Sequence, residues 1–236
     1  MLDRIRTKIY ADGADLDGIV ALPHEPYIDG FTTNPTLMWK AGLTDYEEFG
    51  RRILYEIDGL PISFEVFADD PVQMRRQAER IATWGDNVYV KIPVWNTRGE
   101  SMAGLAGALS GDGIKVNVTA LFTVRQVSEI AGAVAEGAPS YLSVFAGRIA
   151  DAGIDPLPIM REALSILAGA PRAELIWASP RELLNLVQAD AIGCHIITMT
   201  HDLLAKLPSL GKDLEEFSLE TVRMFHRDAA QAGFNL

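Results

Sequence analysis

The chain has 236 residues, 48% of them hydrophobic and 22% charged, the composition of an ordinary globular protein with apolar material for one large core. A formal net charge of −11 argues against general binding to nucleic acid or anionic membranes, though not against a local cationic pocket for a phosphate. Cys194 is the only cysteine, which excludes an intramolecular disulfide, and His24, His195, His201 and His226 are too scattered to form a zinc site.

The N-terminus, Met1-Leu-Asp-Arg-Ile-Arg, lacks the apolar core of a signal peptide. No uninterrupted apolar run approaches membrane-span length, so a cytoplasmic protein is expected. Short apolar strands then alternate with helical patterns. Strands are predicted at 7–11, 29–32, 61–67, 87–92, 114–119, 140–145, 173–178 and 193–198. Helices are predicted near 45–58, 70–84, 100–111, 123–136, 156–169, 180–188 and 200–207, where apolar residues recur three and four apart, as in Met160, Ala163, Leu164 and Leu167. Asp155-Pro156 and Ser179-Pro180 each read as an N-cap followed by proline at the first helical position. Eight βα units without a long linker predict an α/β fold, one (β/α)8 barrel domain over 1–236. A doubly wound open sheet is the alternative, because periodicity does not show closure. A further helix, about 212–232, follows the eighth unit. Its stripe of Leu214, Phe217, Val222 and Phe225 must cover either its own barrel or a neighbour.

The chemistry concentrates at the predicted strand ends. Lys91 sits near the end of the run Asn87-Val-Tyr-Val-Lys-Ile-Pro93, which reads as a strand buried on both faces. Burial disfavours an ammonium and leaves a free amine able to act as a nucleophile. A lysine that snorkels to solvent is the ordinary alternative. Glu65 lies within Phe64-Glu-Val-Phe67 on the preceding strand, and glutamate is rarely buried without a partner. The two could form only a structural ion pair. Asp12 follows strand 1, Thr32, Thr33 and Asn34 follow strand 2, and Asn117 and Thr119 end strand 5. Ser143 and Phe145 end strand 6 with Arg148 just beyond, and Ser179 and Arg181 follow strand 7. Taken singly, Asp12 and Ser179 could be helix caps, Thr32 to Asn34 turn residues before Pro35, and Arg148 a solvated arginine.

In order along the chain, Ala11-Asp12-Gly13, Gly30-Phe-Thr-Thr-Asn-Pro-Thr36, Phe64-Glu-Val-Phe67, Val90-Lys-Ile-Pro93, Asn117-Val-Thr119 and Ser143-Val-Phe-Ala-Gly-Arg148 resemble the motifs of the transaldolases and their short relatives, the fructose-6-phosphate aldolases. The resemblance implies a class I aldol mechanism in a (β/α)8 barrel, with neither metal nor organic cofactor. It implies Lys91 as the Schiff-base lysine, Glu65 and Thr119 on the water of the imine steps, and Asp12 as the acid/base of carbon–carbon cleavage. It also implies Asn34, Asn117 and Ser143 as binders of the dihydroxyacetone hydroxyls, Thr32 and Phe145 beside them, and Arg148 on a distal phosphate. Sugar phosphates are the implied partners, and a homo-oligomer of five or ten copies is the implied assembly. Glu65 and Phe145 stand where the aldolases carry Gln and Tyr, which favours dihydroxyacetone transfer over its release. The alternatives are a dihydroxyacetone-releasing lyase, a transaldolase for an unusual sugar, and a non-catalytic barrel. The chain departs from the pattern after strand 7, where Trp177-Ala-Ser-Pro-Arg-Glu182 runs straight on. Arg181 there is either a second phosphate ligand or a displaced first-turn arginine. Trp95-Asn96 is also individual.

Overall fold

Eight parallel strands close on themselves in chain order, and the computed structural model describes residues 2–13, 25–40, 42 and 45–234 of them and their surroundings. His24 and residues 1 and 235–236 of the predicted domain lie outside the described residues. The strands are β1 (Lys8–Asp12), β2 (Gly30–Thr32), β3 (Ile62–Glu65), β4 (Val88–Pro93), β5 (Val116–Leu121), β6 (Ser140–Val144), β7 (Ala173–Trp177) and β8 (Ile196–Thr200). Pairing of β1 with β8, from Lys8 opposite Ile196 to Asp12 opposite Thr200, closes the barrel and excludes the open sheet. The seam is stitched from below. Asp190 accepts from the backbone N–H of Arg6 and Thr7 at 2.7 and 3.1 Å, and Lys8 pairs with Glu174 of β7 at 2.7 Å.

The helices are α1 (Pro35–Lys40), α2 (Tyr46–Glu56), α3 (Pro71–Ala82), α4 (Ala103–Gly111), α5 (Val124–Val134), α6 (Ala146–Asp151), α7 (Pro156–Leu167), α8 (Leu184–Ala191), α9 (His201–Leu204) and α10 (Leu214–Ala232). Helices α2, α3, α5, α7 and α10 start on short polar side chains that satisfy orphan N–H groups. Asp70 accepts from Val72 and Gln73 with Pro71 behind it, Asp155 accepts from Leu157, and Thr123 forms a reciprocal box with Gln126. Ser179 does not cap as predicted. Its φ is +59°, the next turn is held by the Asn185 side chain accepting from the N–H of Arg181 and Glu182, and α8 begins only at Leu184. The short helices α1 and α6 were not predicted. Strand β8 starts at Ile196 and not at 193, because Gly193 takes φ +74° to leave α8. Strand β3 ends at Glu65, beyond which the N–H groups of Phe67 and Ala68 turn to the Gln77 side chain.

Alternation divides each strand between two cores. Outward residues such as Ile9, Phe31, Phe64, Val90, Val118, Leu142, Leu175 and Ile197 pack against the helices, joined by Phe49 and Ile53 of α2 and Met74, Ala78 and Ile81 of α3. Burying each such side chain contributes about 1.5–3 kcal/mol. Inward residues fill the lower barrel with Tyr10, Tyr89, Tyr141, Ile176 and Ile196. The Tyr10 and Tyr141 hydroxyls hydrogen-bond at 2.7 Å, and Tyr89 stacks on Tyr141 with ring centroids 3.8 Å apart. Helix α10 differs from the rest. Asp213 caps it and Gly233 ends it in the left-handed region, yet none of its residues is buried. Leu214 is 79%, Val222 59% and Phe225 61% exposed, so the predicted stripe does not cover its own barrel. No helix among the described residues is long and apolar enough to cross a membrane.

Candidate active site

Strand register brings the polar strand ends to one height. Asp12 lies opposite Thr32, Glu65 opposite Lys91, Lys91 opposite Asn117, and Pro93 opposite Thr119. Above the tyrosine layer they surround a cavity of about 570 Å³ at the C-terminal end of the barrel. Its wall includes Asp12, Thr32, Asn34, Glu65, Lys91, Thr119, Ser143, Phe145, Arg148, Ser179 and Arg181, eleven of the twelve predicted site residues. Asn117 is the twelfth. It lies fully buried behind the wall, accepting from Ser143 Oγ at 2.7 Å and donating to Ser63 Oγ at 2.9 Å, where it fixes the serine that faces the cavity.

Lys91 does not snorkel. It is 6% exposed, with Nζ donating to the Thr33 carbonyl at 2.8 Å and lying 3.2 Å from Glu65. A buried ammonium requires such acceptors, since leaving it bare costs far more than the contacts return. Asp12 sits across the cavity floor and accepts from Thr32 Oγ1 at 2.8 Å. Desolvation by the barrel pushes its carboxyl above the usual carboxylate range, against the pull of Lys91 and of the Thr32 hydrogen bond. Two polar atoms are buried here without a hydrogen-bond partner among the described residues, Thr119 Oγ1 and His201 Nε2. An orphan of this kind costs about 1–3 kcal/mol, and Thr119 faces the cavity, where a bound molecule can satisfy it. A bulge places it there: the register with β6 shifts between Val118 and Leu121, and Ala120 takes φ +60°.

The far wall is built by close backbone approach. A Cβ on Gly147 would lie 1.6 Å from the Ser179 carbonyl oxygen, so only glycine lets α6 dock on the turn after β7. Docking brings Arg148 and Arg181 to one rim. The Arg148 guanidinium rests 5.4 Å from the centre of the Phe145 ring. Arg181 is bound by Asp151.

Sequence reasoning missed Thr36, Thr198 and Thr200 of the wall. Thr198 lies within 2.5 Å of Thr32 Oγ1. The signal was the alternation Thr198-Met-Thr200 at the true end of β8, hidden by placing that strand too early. His201, whose ring packs on Gly13, was also unassigned. Among the described residues no group of His, Cys, Asp and Glu could hold a metal ion.

Comparison with known proteins agrees with this geometry. Residues 9–236 match the transaldolase/fructose-6-phosphate aldolase family. A probable transaldolase of Streptococcus equi subsp. equi is 36% identical over 203 residues, covering 85% of this chain and 89% of that protein. Probable transaldolase 2 of Listeria monocytogenes is 35% identical over 214 residues, covering 89% and 94%. Among solved structures, dihydrodipicolinate synthase of Thermotoga maritima superposes with a TM-score of 0.60 at 16% identity, over 96% of this chain and 81% of that one, and shares the fold alone. The chain therefore belongs to the transaldolase/fructose-6-phosphate aldolase family and is an enzyme of transaldolase type.

Proposed function

We propose that the enzyme transfers a dihydroxyacetone unit from a ketose phosphate such as fructose 6-phosphate to an aldose phosphate, through an imine on Lys91. The observation that carries this reading is a lysine buried to 6% exposure beneath the cavity, with a carboxylate 3.2 Å away and a second carboxyl, that of Asp12, on the same floor. Glu65 takes a proton from the Lys91 ammonium 3.2 Å away, the free amine adds to the C2 carbonyl, and Glu65 returns that proton to the carbinolamine hydroxyl, which leaves as water held by Thr119 Oγ1 and gives the iminium. The ionised Asp12 then takes the C4 hydroxyl proton as the C3–C4 bond breaks. The electron pair of that bond passes into the iminium, giving an enamine, and the aldose leaves. Attack of the enamine on an acceptor aldehyde reverses these steps, and water releases the new ketose. A carboxyl raised toward neutrality suits a group that must both take and return a proton. Asn34 and Ser143 bind the hydroxyls of the retained fragment, with Asn117 behind Ser143. Arg148 meets the distal phosphate. Glu65 and Phe145, in place of the Gln and Tyr of the aldolase pattern, support transfer over release.

Borohydride with fructose 6-phosphate should trap a mass adduct on Lys91, and Lys91→Ala should lose both adduct and turnover. An adduct that persists in that variant, or maps to Lys8 or Lys115, refutes the assignment. Free dihydroxyacetone produced rapidly without erythrose 4-phosphate would favour the lyase.

We further infer that the whole chain acts as one domain in the cytoplasm, on a pentose phosphate type of sugar conversion, and assembles into a homo-oligomer of five or ten copies. The bare stripe on α10 supports assembly, since about 25 cal/mol is lost per Å² of apolar surface left in water. Light scattering should show an oligomer for the full chain and a smaller species after removal of residues 212–236. A full-length monomer at micromolar concentration excludes it.

A further inference from the structure

The two arginines at the rim of the cavity are not equivalent. Arg181 Nε donates to Asp151 Oδ1 at 2.9 Å and Oδ2 at 3.1 Å, and Nη2 closes the bidentate pair on Oδ2. Nη1 donates to the Ser179 carbonyl at 3.1 Å and to Ser179 Oγ at 2.9 Å. A guanidinium has five N–H donors, and four of these are engaged within the protein. The match is a fork on a carboxylate, the same geometry that a phosphate would demand. Arg148 makes no such pair. Its guanidinium lies over Phe145, and no carboxylate of the described residues forms an ion pair with it. The pairing also holds the Asp151 carboxyl below its usual range, mainly through the Arg181 hydrogen bond, with a smaller pull from Arg148.

The arrangement is built into the backbone. Asp151 is the last residue of α6, three positions after Arg148, and α6 is docked on the Ser179 turn through Gly147. Thus the helix that delivers one arginine to the rim also delivers the carboxylate that occupies the other. The rim carries two cations and one anion, where two free cations would meet a dianionic phosphate.

We propose that Asp151 is a specificity-determining residue: it competes with the substrate's distal phosphate for Arg181, leaves Arg148 as the available cation, and so weakens the preference for phosphorylated over unphosphorylated sugars. This rests on the sugar-phosphate reading of the cavity. Asp151 touches no reacting atom in that reading, and its effect falls on KM.

The test is Asp151→Asn in the full-length enzyme. An exposed pair of this kind contributes little to stability, so the variant folds. At low ionic strength KM for fructose 6-phosphate should fall about fivefold while kcat holds, and KM for fructose should not move. The gain should shrink at high salt. Calorimetric titration with inorganic phosphate should show a similar tightening, and that arm needs no turnover. If phosphate tightens while no sugar reacts, the sugar-phosphate reading falls, and with it the role in sugar specificity, while the competition of Asp151 with an anion for Arg181 stands. Adding Arg181→Ala to Asp151→Asn should abolish the gain. A gain that survives the double substitution, or an unchanged phosphorylated-to-unphosphorylated ratio of kcat/KM with unchanged phosphate affinity, overturns the proposal.

Discussion

The lower and upper halves of the barrel interior are made by the same strands and differ in what their polar atoms do. Tyr10 and Asp12 lie two residues apart on β1 and Tyr89 and Lys91 two apart on β4, so each pair points inward at successive levels. Below, the hydroxyls of Tyr10 and Tyr141 satisfy each other and the rings fill the bore. Above, a carboxyl is held out of its usual range, and a threonine hydroxyl is buried with no partner among the described residues. The lower layer is optimised for the folded state. The upper layer keeps unmet demand for a bound molecule, which is the stability cost expected where chemistry is done.

Single-atom changes at the two levels should therefore move stability in opposite directions. The largest effect is expected from Asp12→Asn, which should lower kcat by about 10²–10⁴-fold and leave borohydride trapping on Lys91 intact. The same variant should be more stable than the wild type at pH 8. Folding raises the Asp12 pKa, so the folded state binds its proton more tightly than the unfolded chain does. That contribution is full below the unfolded value of about 3.9 and is lost as pH rises through the folded value. Removing the charge should raise the melting temperature at pH 8 and leave it unchanged near pH 4. Thermal melts at the two pH values check it, and equal shifts at both would break the comparison.

Tyr10→Phe, one level down, should cost about 1 kcal/mol, or about 2–4 °C in Tm for a chain of this length, with kcat within twofold of wild type. Loss of turnover there would show that the lower layer serves the reaction directly. The smallest effect on stability is expected from Thr119→Val. It deletes an unpartnered hydroxyl while keeping the shape, so the melting temperature should rise slightly. Oxygen exchange between the ketose carbonyl and labelled water should slow. A fall in Tm would mean that the hydroxyl is satisfied in solution.

Much of this was readable from residues because a parallel barrel repeats a short message. Short runs of four to seven residues marked all eight strands, and polar residues at their ends marked the cavity. What could not be read was geometry set by the backbone between elements. Ser179 looked like a cap because Ser-Pro usually is one, but the φ of +59° that brings Arg181 to the rim depends on α6 pressing against it through Gly147. The six-residue helix α6 is too short to show a period. Asn117 was expected among the ligands because the resemblance implies it. Only the side-chain packing shows it hydrogen-bonded behind Ser143. The stripe of α10 was legible as apolar, and its exposure was not, since periodicity says that a face must be covered and never by what.

The seam between β1 and β8 has a consequence for how the protein is made. Asp190 and the strand from Ile196 onward are the partners of the first strand, and a ribosome delivers them only after more than four-fifths of the chain has emerged. At about 5–20 residues per second, β1 waits roughly 10–40 s with one edge unpaired. An open edge of parallel sheet is a template for other chains. The growing chain thus carries a pairing template from the emergence of β1 until β8 arrives, and closure of the seam removes it.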